Sequence, residues 1–457
     1  MARLLRVAIV VCVLFGVGGT VAWATGLASF GFVGSDGSIT ACVQNSNGNV
    51  RFTAPSSTKR DLSSCRNDES TVVLNQKGQK GDTGPQGVPG PQGPQGVPGQ
   101  QGPPGSSPGP AHVLVDCAAG QSVQQALNDN AAAASLDITI KGTCTEFVNV
   151  ARDNVSLDAF AAGDGLASPA PGQPLLAVDG RQVQINGLTI TGGAVAVFGG
   201  QVNVNNVSIS GGASALNVSS GGDASVSSST LTASSTVVSA GQGGSLRLSG
   251  VTVQGGGGSG DAVVVQTGGT VTAFASTFSG ARHGVIAYPG GSAEINNSSV
   301  TNNSGNGLFA FGGGIHASGG SVTASGATGV DAYAGGYVDL SSGIRIANNN
   351  VGVSTSGGRI LIQDGVMIEN NAGDGIQVSS ASSATVEGPA TIRNNAGNGV
   401  HIQDNSVASF SSGDQITGNS GWGVFCDSPP SNPLISGPLN PANVSGNTAG
   451  AVDCQHS

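Results

Sequence analysis

The sequence has few charged and few aromatic residues. Charged residues make up 9% and aromatic residues 4% of its 457 positions, and 16 Lys and Arg stand against 26 Asp and Glu, for a net charge of -10. A chain so poor in basic groups cannot neutralise many phosphates. With 77 glycines the composition also differs from that of an ordinary globular domain. We therefore expect a repeat architecture and no nucleic-acid partner.

Motifs for catalysis, phosphate binding and metal binding are scarce. The segment Gly105–Gly109 matches the nucleophile-elbow string, but it lies in a Pro-rich linker instead of a strand-to-helix turn. No Gly-Lys-Ser/Thr phosphate loop occurs, and no Asp completes a calcium-binding nonapeptide. The sequence thus predicts no cofactor and no metal, and it favours a non-catalytic protein.

The N-terminus has the features of a signal segment over residues 1–24. Arg3 and Arg6 precede an apolar stretch, and Ala22-Trp23-Ala24 gives a small-x-small cleavage pattern. We expect a secreted or cell-surface protein without membrane insertion after cleavage. An uncleaved anchor is the alternative, because Val7–Ala24 just reaches the length that spans a bilayer.

A small cysteine-containing module is predicted at 35–77, with strands near Ser38–Val43 and Asn49–Phe52. A core this small needs a covalent cross-link for stability, so Cys42–Cys65 is the expected disulfide. The pattern Ile39-Thr40-Ala41-Cys42, followed by Asn49-Val50-Arg51, Cys65 and Leu74-Asn75-Gln76-Lys77-Gly78, resembles a cysteine-paired module that exported bacterial proteins place before collagen-like or β-helical regions. This resemblance implies no activity.

Residues 78–107 follow the collagen period. Glycine stands at every third position, at 78, 81, 84, 87, 90, 93, 96, 99, 102 and 105. Only glycine fits the axis of three wound chains, so the strict spacing predicts a collagen-like stalk and a homotrimer. A semi-rigid single-chain spacer is the alternative interpretation.

Residues 111–457 carry a repeat of about 22 residues. Gly-Gly pairs begin at 199, 221, 243, 268, 290, 312, 335 and 357. Between the pairs apolar residues alternate in three short runs, as in Leu246 and Leu248, which indicates three strands per coil. Three parallel strands per coil make an all-β parallel β-helix, and the crossover rule predicts right-handed winding.

A second marker places glycine before an apolar residue at the start of each third strand. Examples are Gly284-Val285, Gly307-Leu308 and Gly375-Ile376, and pairs such as Asn370-Asn371 and Asn394-Asn395 precede them. Such amides can stack from coil to coil. The array resembles the pectin-lyase-like superfamily of right-handed β-helices. That resemblance implies the fold, and for the enzymes on it a polysaccharide substrate, without assigning an activity here.

Both ends of the array have predicted closures. Ser122 to Gln125 form a capping box, which predicts a helix to about Ala134 with Val123, Ala126, Leu127 and Ala131 on one face. Cys117 and Cys144 flank this helix and the next strand, and are expected to pair. Cys426 and Cys454 align on adjacent coils, within disulfide distance.

Strand alternation also predicts an outward stripe of side chains. It comprises Tyr288, Phe309, Phe311, Asp331, Tyr333, Gln377 and His401. Aromatic rings flanked by amides suit a glycan or a surface protein, although a ladder that only stabilises neighbouring coils is the alternative.

The function predicted is therefore a non-catalytic, surface-displayed β-helix for adhesion, polysaccharide binding or envelope structure. The alternative is a polysaccharide lyase or glycoside hydrolase, for which Asp364 and Glu387 are the candidate carboxylates. Glu369 and Arg393 occupy matching positions of successive coils and are expected to form a surface ion pair.

Overall fold

The structure, a computed structural model, describes residues 38–54, 64–75, 109–170, 174–257, 259–427 and 434–454. The predicted signal segment 1–24 and the triplets 78–107 lie outside these ranges. The chain divides into two compact units, residues 1–101 and 102–457. Each unit is described separately.

The first unit contains a three-stranded antiparallel sheet. Its strands are β1 (Ser38–Gln44), β2 (Val50–Phe52) and β3 (Glu69–Asn75), in the order β2-β1-β3. The sequence predicted β1 and β2 but missed β3, because Thr71 to Leu74 does not alternate polar and apolar residues. Cys42 and Cys65 form the expected disulfide, with Cα atoms 5.4 Å apart.

The helices of the second unit are a 3-10 helix Cys117–Ala119, the α-helix α1 (Val123–Asp129) and a second 3-10 helix Pro441–Asn443. Its first strands are β4 (Ala111–Asp116), β5 (Leu136–Lys141), β6 (Thr143–Thr145), β7 (Val148–Val150), β8 (Val155–Ala159), β9 (Gly165–Ala167), β10 (Pro174–Val178), β11 (Val183–Asn186), β12 (Thr189–Thr191), β13 (Ala194–Phe198), β14 (Gln201–Asn205), β15 (Ser208–Gly212), β16 (Leu216–Ser219), β17 (Asp223–Ser227) and β18 (Thr230–Ala233).

The middle strands are β19 (Val238–Ala240), β20 (Ser245–Ser249), β21 (Thr252–Gly255), β22 (Val263–Val265), β23 (Thr270–Phe274), β24 (Thr277–Ser279), β25 (Val285–Ala287), β26 (Ser292–Asn296), β27 (Ser299–Thr301), β28 (Leu308–Phe311), β29 (Gly314–Ser318), β30 (Ser321–Thr323), β31 (Thr328–Tyr333), β32 (Tyr337–Ser341) and β33 (Arg345–Ala347).

The last strands are β34 (Val351–Ser356), β35 (Arg359–Ile362), β36 (Met367–Glu369), β37 (Ile376–Ser379), β38 (Ser383–Val386), β39 (Thr391–Arg393), β40 (Val400–Ile402), β41 (Val407–Ser409), β42 (Gln415–Thr417), β43 (Trp422–Cys426), β44 (Leu434–Ser436), β45 (Val444–Ser445) and β46 (Gly450–Asp453).

These strands build three long parallel sheets that share one core. Sheet 1 has 15 strands from β4 to β44, sheet 2 has 14 from β6 to β45, and sheet 3 has 14 from β7 to β46. From β5 onward, consecutive strands of the chain belong to successive sheets, so each coil contributes one strand to each. Inward side chains such as Val285 and Ala287 are fully buried. The predicted all-β parallel solenoid, with about 22 residues per coil, is confirmed.

The Gly-Gly pairs meet two backbone demands at the turn from sheet 3 to sheet 1. The first glycine adopts a left-handed conformation, with φ 76° at Gly290. The second packs against the preceding coil, since a Cβ at Gly291 would lie 2.5 Å from the carbonyl oxygen of Val265. Both positions therefore require glycine.

The predicted stacking of amides from coil to coil is present as a buried asparagine ladder. Its members are Asn349, Asn371, Asn395, Asn419 and Asn447. Each of the first four donates from its backbone N–H and its Nδ2 to Oδ1 of the next member, at 2.8–3.2 Å. The first asparagine of a pair instead forms the turn, as Asn370 does with φ 57°.

The N-terminal helix is shorter than predicted. It ends at Asp129 instead of about Ala134, and Ala131 is exposed, so its placement on the buried face was wrong. Ser122 caps the helix by accepting from the Gln125 N–H at 3.1 Å. The Gln125 side chain does not complete the capping box. Glu146 instead satisfies the first turn, accepting from the Val123 N–H at 2.7 Å and from the Ser122 hydroxyl at 2.6 Å.

Two further disulfides have the predicted pairing. Cys117–Cys144 joins the 3-10 helix to β6, with Cα atoms 4.9 Å apart, and Cys426–Cys454 joins the ends of β43 and β46 at 4.8 Å. Among the described residues, no helix has the length and hydrophobicity that a membrane crossing requires.

Candidate functional site

The register of sheet 3 aligns one outward side chain of each coil in a row. Strand pairing places Ile286 beside Phe309, and Phe309 beside Asp331. The row continues through Ser354, Gln377, His401 and Phe425. The register predicted from alternation and the 22–23 residue spacing is therefore correct along these coils.

Four aromatic side chains form what we call the aromatic surface. Phe309 belongs to the row, and Tyr288, Phe311 and Tyr333 lie beside it. The rings of Phe311 and Tyr333 are stacked, with centroids 5.6 Å apart. Tyr288 meets Phe311 edge-on at 5.8 Å, and Phe309 meets Phe311 at 5.9 Å. These separations fit attractive aromatic pairs.

The aromatic surface is open to solvent but unevenly so. Tyr333 is 43% exposed, whereas Tyr288, Phe309 and Phe311 are half-buried. Ile286 holds an outward position of the row as predicted, yet it is only 2% exposed between Val264 and Phe309. The accessible aromatic area therefore begins at Tyr288 and Phe309 and ends at Tyr333.

Asp331 is the most perturbed carboxyl group beside these rings. Its Oδ2 accepts from Nδ2 of Asn306 at 3.1 Å, while Oδ1 is buried without a hydrogen-bond partner. Burial raises the pKa of Asp331 to about 6, against the opposing effect of hydrogen bonds from Asn306 and Ser354. Near neutral pH this carboxyl can therefore exist in either protonation state.

His283 extends the cluster, although no sequence pattern had selected it. Its ring lies 5.1 Å from that of Phe309, and its Nδ1 accepts from the Asn306 N–H at 3.0 Å. Burial lowers the pKa of His283. Asp261 holds the turn by accepting from the His283 N–H at 3.3 Å and by pairing with Arg282 at 2.9 Å. His283 therefore presents a neutral ring.

His401 is held by two carboxylates. Its Nδ1 lies 3.0 Å from Asp374 Oδ2 and its Nε2 lies 2.9 Å from Asp427 Oδ1. Burial lowers the pKa of His401, but these two carboxylates outweigh it and the pKa is raised overall. Since both nitrogens are engaged, a ligand would have to displace a carboxylate to bind them. Gln377 is less tightly held, at 3.4 Å from Gln403.

Two shallow depressions lie on the same face, on the coils before the aromatic surface. One has a volume of about 290 Å³ and is lined by polar residues that include Asn217, Ser239 and Gln266. The other, of about 370 Å³, lies between Gln242, Gln266, Thr267 and Tyr288. Tyr288 therefore borders both a polar depression and the aromatic surface.

The carboxylates of the enzyme alternative lie elsewhere. Asp364 and Glu387 are exposed in turns after β35 and β38, whose residues Ile362 and Val386 pair. The two side chains are on neighbouring coils as predicted, and Asp364 rests against Gly388, where a Cβ would lie 1.3 Å from Oδ1. Neither lines the depressions on sheet 3.

The expected ion pair of Glu369 and Arg393 is present, but Glu369 is buried and pairs with a second arginine. Glu369 is 6% exposed and bridges two coils, with Arg345 Nε 2.7 Å from Oε1 and Arg393 Nε 2.8 Å from Oε2. Burial raises the pKa of Glu369, but the two guanidinium groups outweigh it and the pKa is lowered overall.

One group of potential metal ligands occurs among the described residues, namely Cys42, Cys65 and Glu69. The two sulfur atoms are bonded to each other. Since a disulfide has no thiolate to offer, this group does not constitute a metal site.

A family model described as "Right handed beta helix region" matches residues 261–437. This match covers the coils that carry the aromatic surface. Over these coils the parallel β-helix is similar to a right-handed family, in agreement with the handedness expected from the crossover rule.

Solved structures with a similar chain path include the A-modules of two mannuronan C-5 epimerases of Azotobacter vinelandii. AlgE6 is 14% identical over 73% of this chain and 91% of its own, with a TM-score of 0.32. AlgE4 is 12% identical over 73% and 93%, with a TM-score of 0.37. The periplasmic alginate epimerase AlgG is 13% identical over 70% and 74%, with a TM-score of 0.30. At these values no conclusion about activity follows.

The search of curated proteins found no match to this sequence.

Proposed function

We propose that this protein is exported and binds an extracellular polysaccharide along the outward face of sheet 3. The observation that carries the proposal is the aromatic surface, whose rings on three successive coils lie within 5.6–6.4 Å of one another. Sugar rings stack on such faces through their apolar C–H groups, while flanking polar groups fix their orientation.

The shape of the face supports a linear ligand. Coils rise by about 4.8 Å, so the row from Asn217 to His401 extends for about 40 Å. Polar depressions lie at one end of this row, the rings in the middle, and Ser354 and Gln377 beyond them. A polysaccharide can follow all three parts in turn, whereas a small ligand would occupy only one.

The disulfides support export. Three of them link the described cysteines, and disulfides persist in oxidising compartments. An extracytoplasmic protein meets envelope and matrix polysaccharides, which suits adhesion or envelope structure.

A glycan array probed with the full-length exported protein tests the proposal. Tyr333→Ser should weaken binding to the selected glycan about fivefold, because one aromatic stack contributes about 1 kcal/mol beyond its buried area. Combined Tyr288→Ser, Phe311→Ser and Tyr333→Ser should abolish detectable binding with little change in melting temperature.

The matched control is Phe274→Ser. Phe274 is 52% exposed and pairs with Asn296 on sheet 1, away from the site. This variant should bind like the unmodified protein. A large fall in the melting temperature of the triple variant with binding retained would show that the rings are a structural ladder only.

A second candidate is an enzyme that acts on the same glycan, and Asp331 favours it. A carboxyl with a pKa of about 6 beside a sugar-binding surface is poised for proton transfer near neutral pH. Reducing-end and unsaturated-product assays on the bound glycan decide between the two. Product formation that Asp331→Asn removes, with binding retained, would establish the enzyme.

A further inference from the structure

The small sheet of the first unit has one apolar face. Antiparallel pairing aligns Ala41 with Phe52 and Val72, and Val43 with Val50. The face comprises Ile39, Ala41, Val43, Val50, Phe52, Val72 and Leu74. We call it the apolar face of the module. Val50 and Leu74 remain 44% and 45% exposed, so none of the residues that the structure describes covers it fully.

The opposite face of the same sheet is different. It carries Cys42, whose disulfide to Cys65 crosses it, and the ion pair of Arg51 with Glu69 at 2.6 Å. The guanidinium of Arg51 lowers the pKa of the Glu69 carboxyl. Val73 is the exposed apolar residue of β3 on this face, at 56%. The sheet therefore has one polar side, which carries the disulfide, and one apolar side.

An apolar face on so small a module lacks a core to cover it. Monomeric proteins rarely leave contiguous apolar patches open, and sheets of this size gain stability from association. Burial of this face against other molecules would supply the apolar contacts that the module does not make alone.

The chain that follows β3 indicates which molecules these are. Leu74, at the end of the apolar face, precedes Gly78 by four residues, and Gly78 opens the collagen-period triplets. Asn75 lies three residues before Gly78, a path of at most about 10 Å. If three chains wind together from Gly78, three modules must lie side by side at that point. A short triple helix also needs a nucleus that aligns its strands.

We propose that the module is a trimerisation nucleus, in which the apolar faces of three copies of this chain pack together at the start of the triplets. The three β3 strands, one from each chain, end near one axis, so the three chains enter the triple helix side by side. The ligand-binding β-helices are then presented three at a time. This role is separate from glycan binding and does not depend on it.

Two single substitutions on β3 test the proposal in the full-length exported protein. Leu74→Asp places a carboxylate on the apolar face, and Val73→Asp places the same group on the opposite face one residue away. Both side chains are exposed within the single chain, so each module can fold. Sedimentation equilibrium at micromolar concentration gives the oligomeric state, and peptide mapping checks the Cys42–Cys65 disulfide.

The unmodified protein should be a trimer. Leu74→Asp should weaken the trimer about 100-fold or more, because it buries three unpaired carboxylates, and Val73→Asp should change it less than about threefold. A second measurement needs no variant. Amide hydrogen exchange over 69–75 should be slow in the trimer and should accelerate on dilution to monomer.

Three results would overturn the proposal. A monomeric unmodified protein would mean that something other than copies of this chain covers the apolar face. Equal effects of the two substitutions mean that the triplets alone hold the trimer. Binding of the unmodified monomer to lipid vesicles, lost on Leu74→Asp, means that the face contacts a membrane.

Discussion

At the residue scale, the asparagine ladder shows how one side chain serves two coils. Asn371 Oδ1 accepts from the N–H of Asn349 at 3.0 Å, and Asn371 Nδ2 donates to Asn395 Oδ1 at 2.8 Å and to the carbonyl of Ile346 at 3.4 Å. Glycine at 375 makes room for this packing, because a Cβ there would lie 2.8 Å from Nδ2 of Asn395.

Removal of one ladder member should therefore be costly. Asn371→Ala leaves buried donors and acceptors of two neighbouring coils unpaired, and we expect a loss of about 3 kcal/mol in the free energy of unfolding. Chemical denaturation followed by circular dichroism measures it. Asn370→Gly is the control, since φ 57° at Asn370 suits glycine, and it should change stability by less than about 0.5 kcal/mol. Similar losses in both would contradict the ladder's role.

Asp331 gives stability a pH dependence of known sign. Its pKa is raised from 3.8 in the unfolded chain to about 6 in the fold. The folded state therefore binds more protons between these values, and stability falls as pH rises from about 4 to about 6. Asp331→Asn removes this loss and should stabilise the protein by about 2 kcal/mol above pH 6.

Thermal unfolding at a series of pH values tests this. The difference in thermal stability between Asp331→Asn and the unmodified protein should increase between about pH 4 and pH 6 and stay constant above pH 6. Asp364→Asn, which removes an exposed carboxylate, reports the background. A difference that grows toward low pH would mean that the sign is wrong.

At the scale of elements, the sequence predicted the strands where the chain repeats. Spacing of the Gly-Gly pairs and alternation of apolar residues set the register of sheet 3, so Phe309, Phe311, Asp331 and Tyr333 came together as expected. The predicted disulfide Cys426–Cys454 followed from the same alignment at the C-terminal end, where Val424 pairs with Val452.

The wrong predictions share one cause. Each depended on a side-chain contact that the sequence repeat does not encode. The helix α1 was predicted too long because no sequence pattern shows that Arg152, from the following coil, donates to the carbonyls of Asn130 and Ala133 just past the end of the helix. His283 was missed because its position depends on Asp261 of the preceding coil, which accepts from the His283 N–H and pairs with the adjacent Arg282. Glu369 was expected to be exposed because the sequence repeat does not show how far a long side chain extends. Arg345, on the neighbouring coil, extends to the Glu369 carboxylate.

At the scale of the whole molecule, the two proposed roles, glycan binding and trimerisation, are assigned to different units. The aromatic surface belongs to the unit 102–457, whose first coil is closed by α1 and by the disulfide Cys117–Cys144. The apolar face belongs to the unit 1–101. Because both closing features of the β-helix lie inside the second unit, a fragment of residues 109–457 should fold and keep its ligand site.

The two proposals together make a quantitative prediction about avidity. If three β-helices are tethered, the intact protein should bind a polymeric glycan surface about 10² to 10⁴ times more tightly than the fragment 109–457, without any new contact. For one short oligosaccharide in solution, the affinities of the two should agree, since only one site is engaged. Surface plasmon resonance on immobilised polysaccharide gives the first ratio, and calorimetry with the oligosaccharide gives the second. Equal binding of both proteins to the polymer surface would contradict tethering, whereas a difference already present for the short oligosaccharide would place part of the ligand site outside the β-helix.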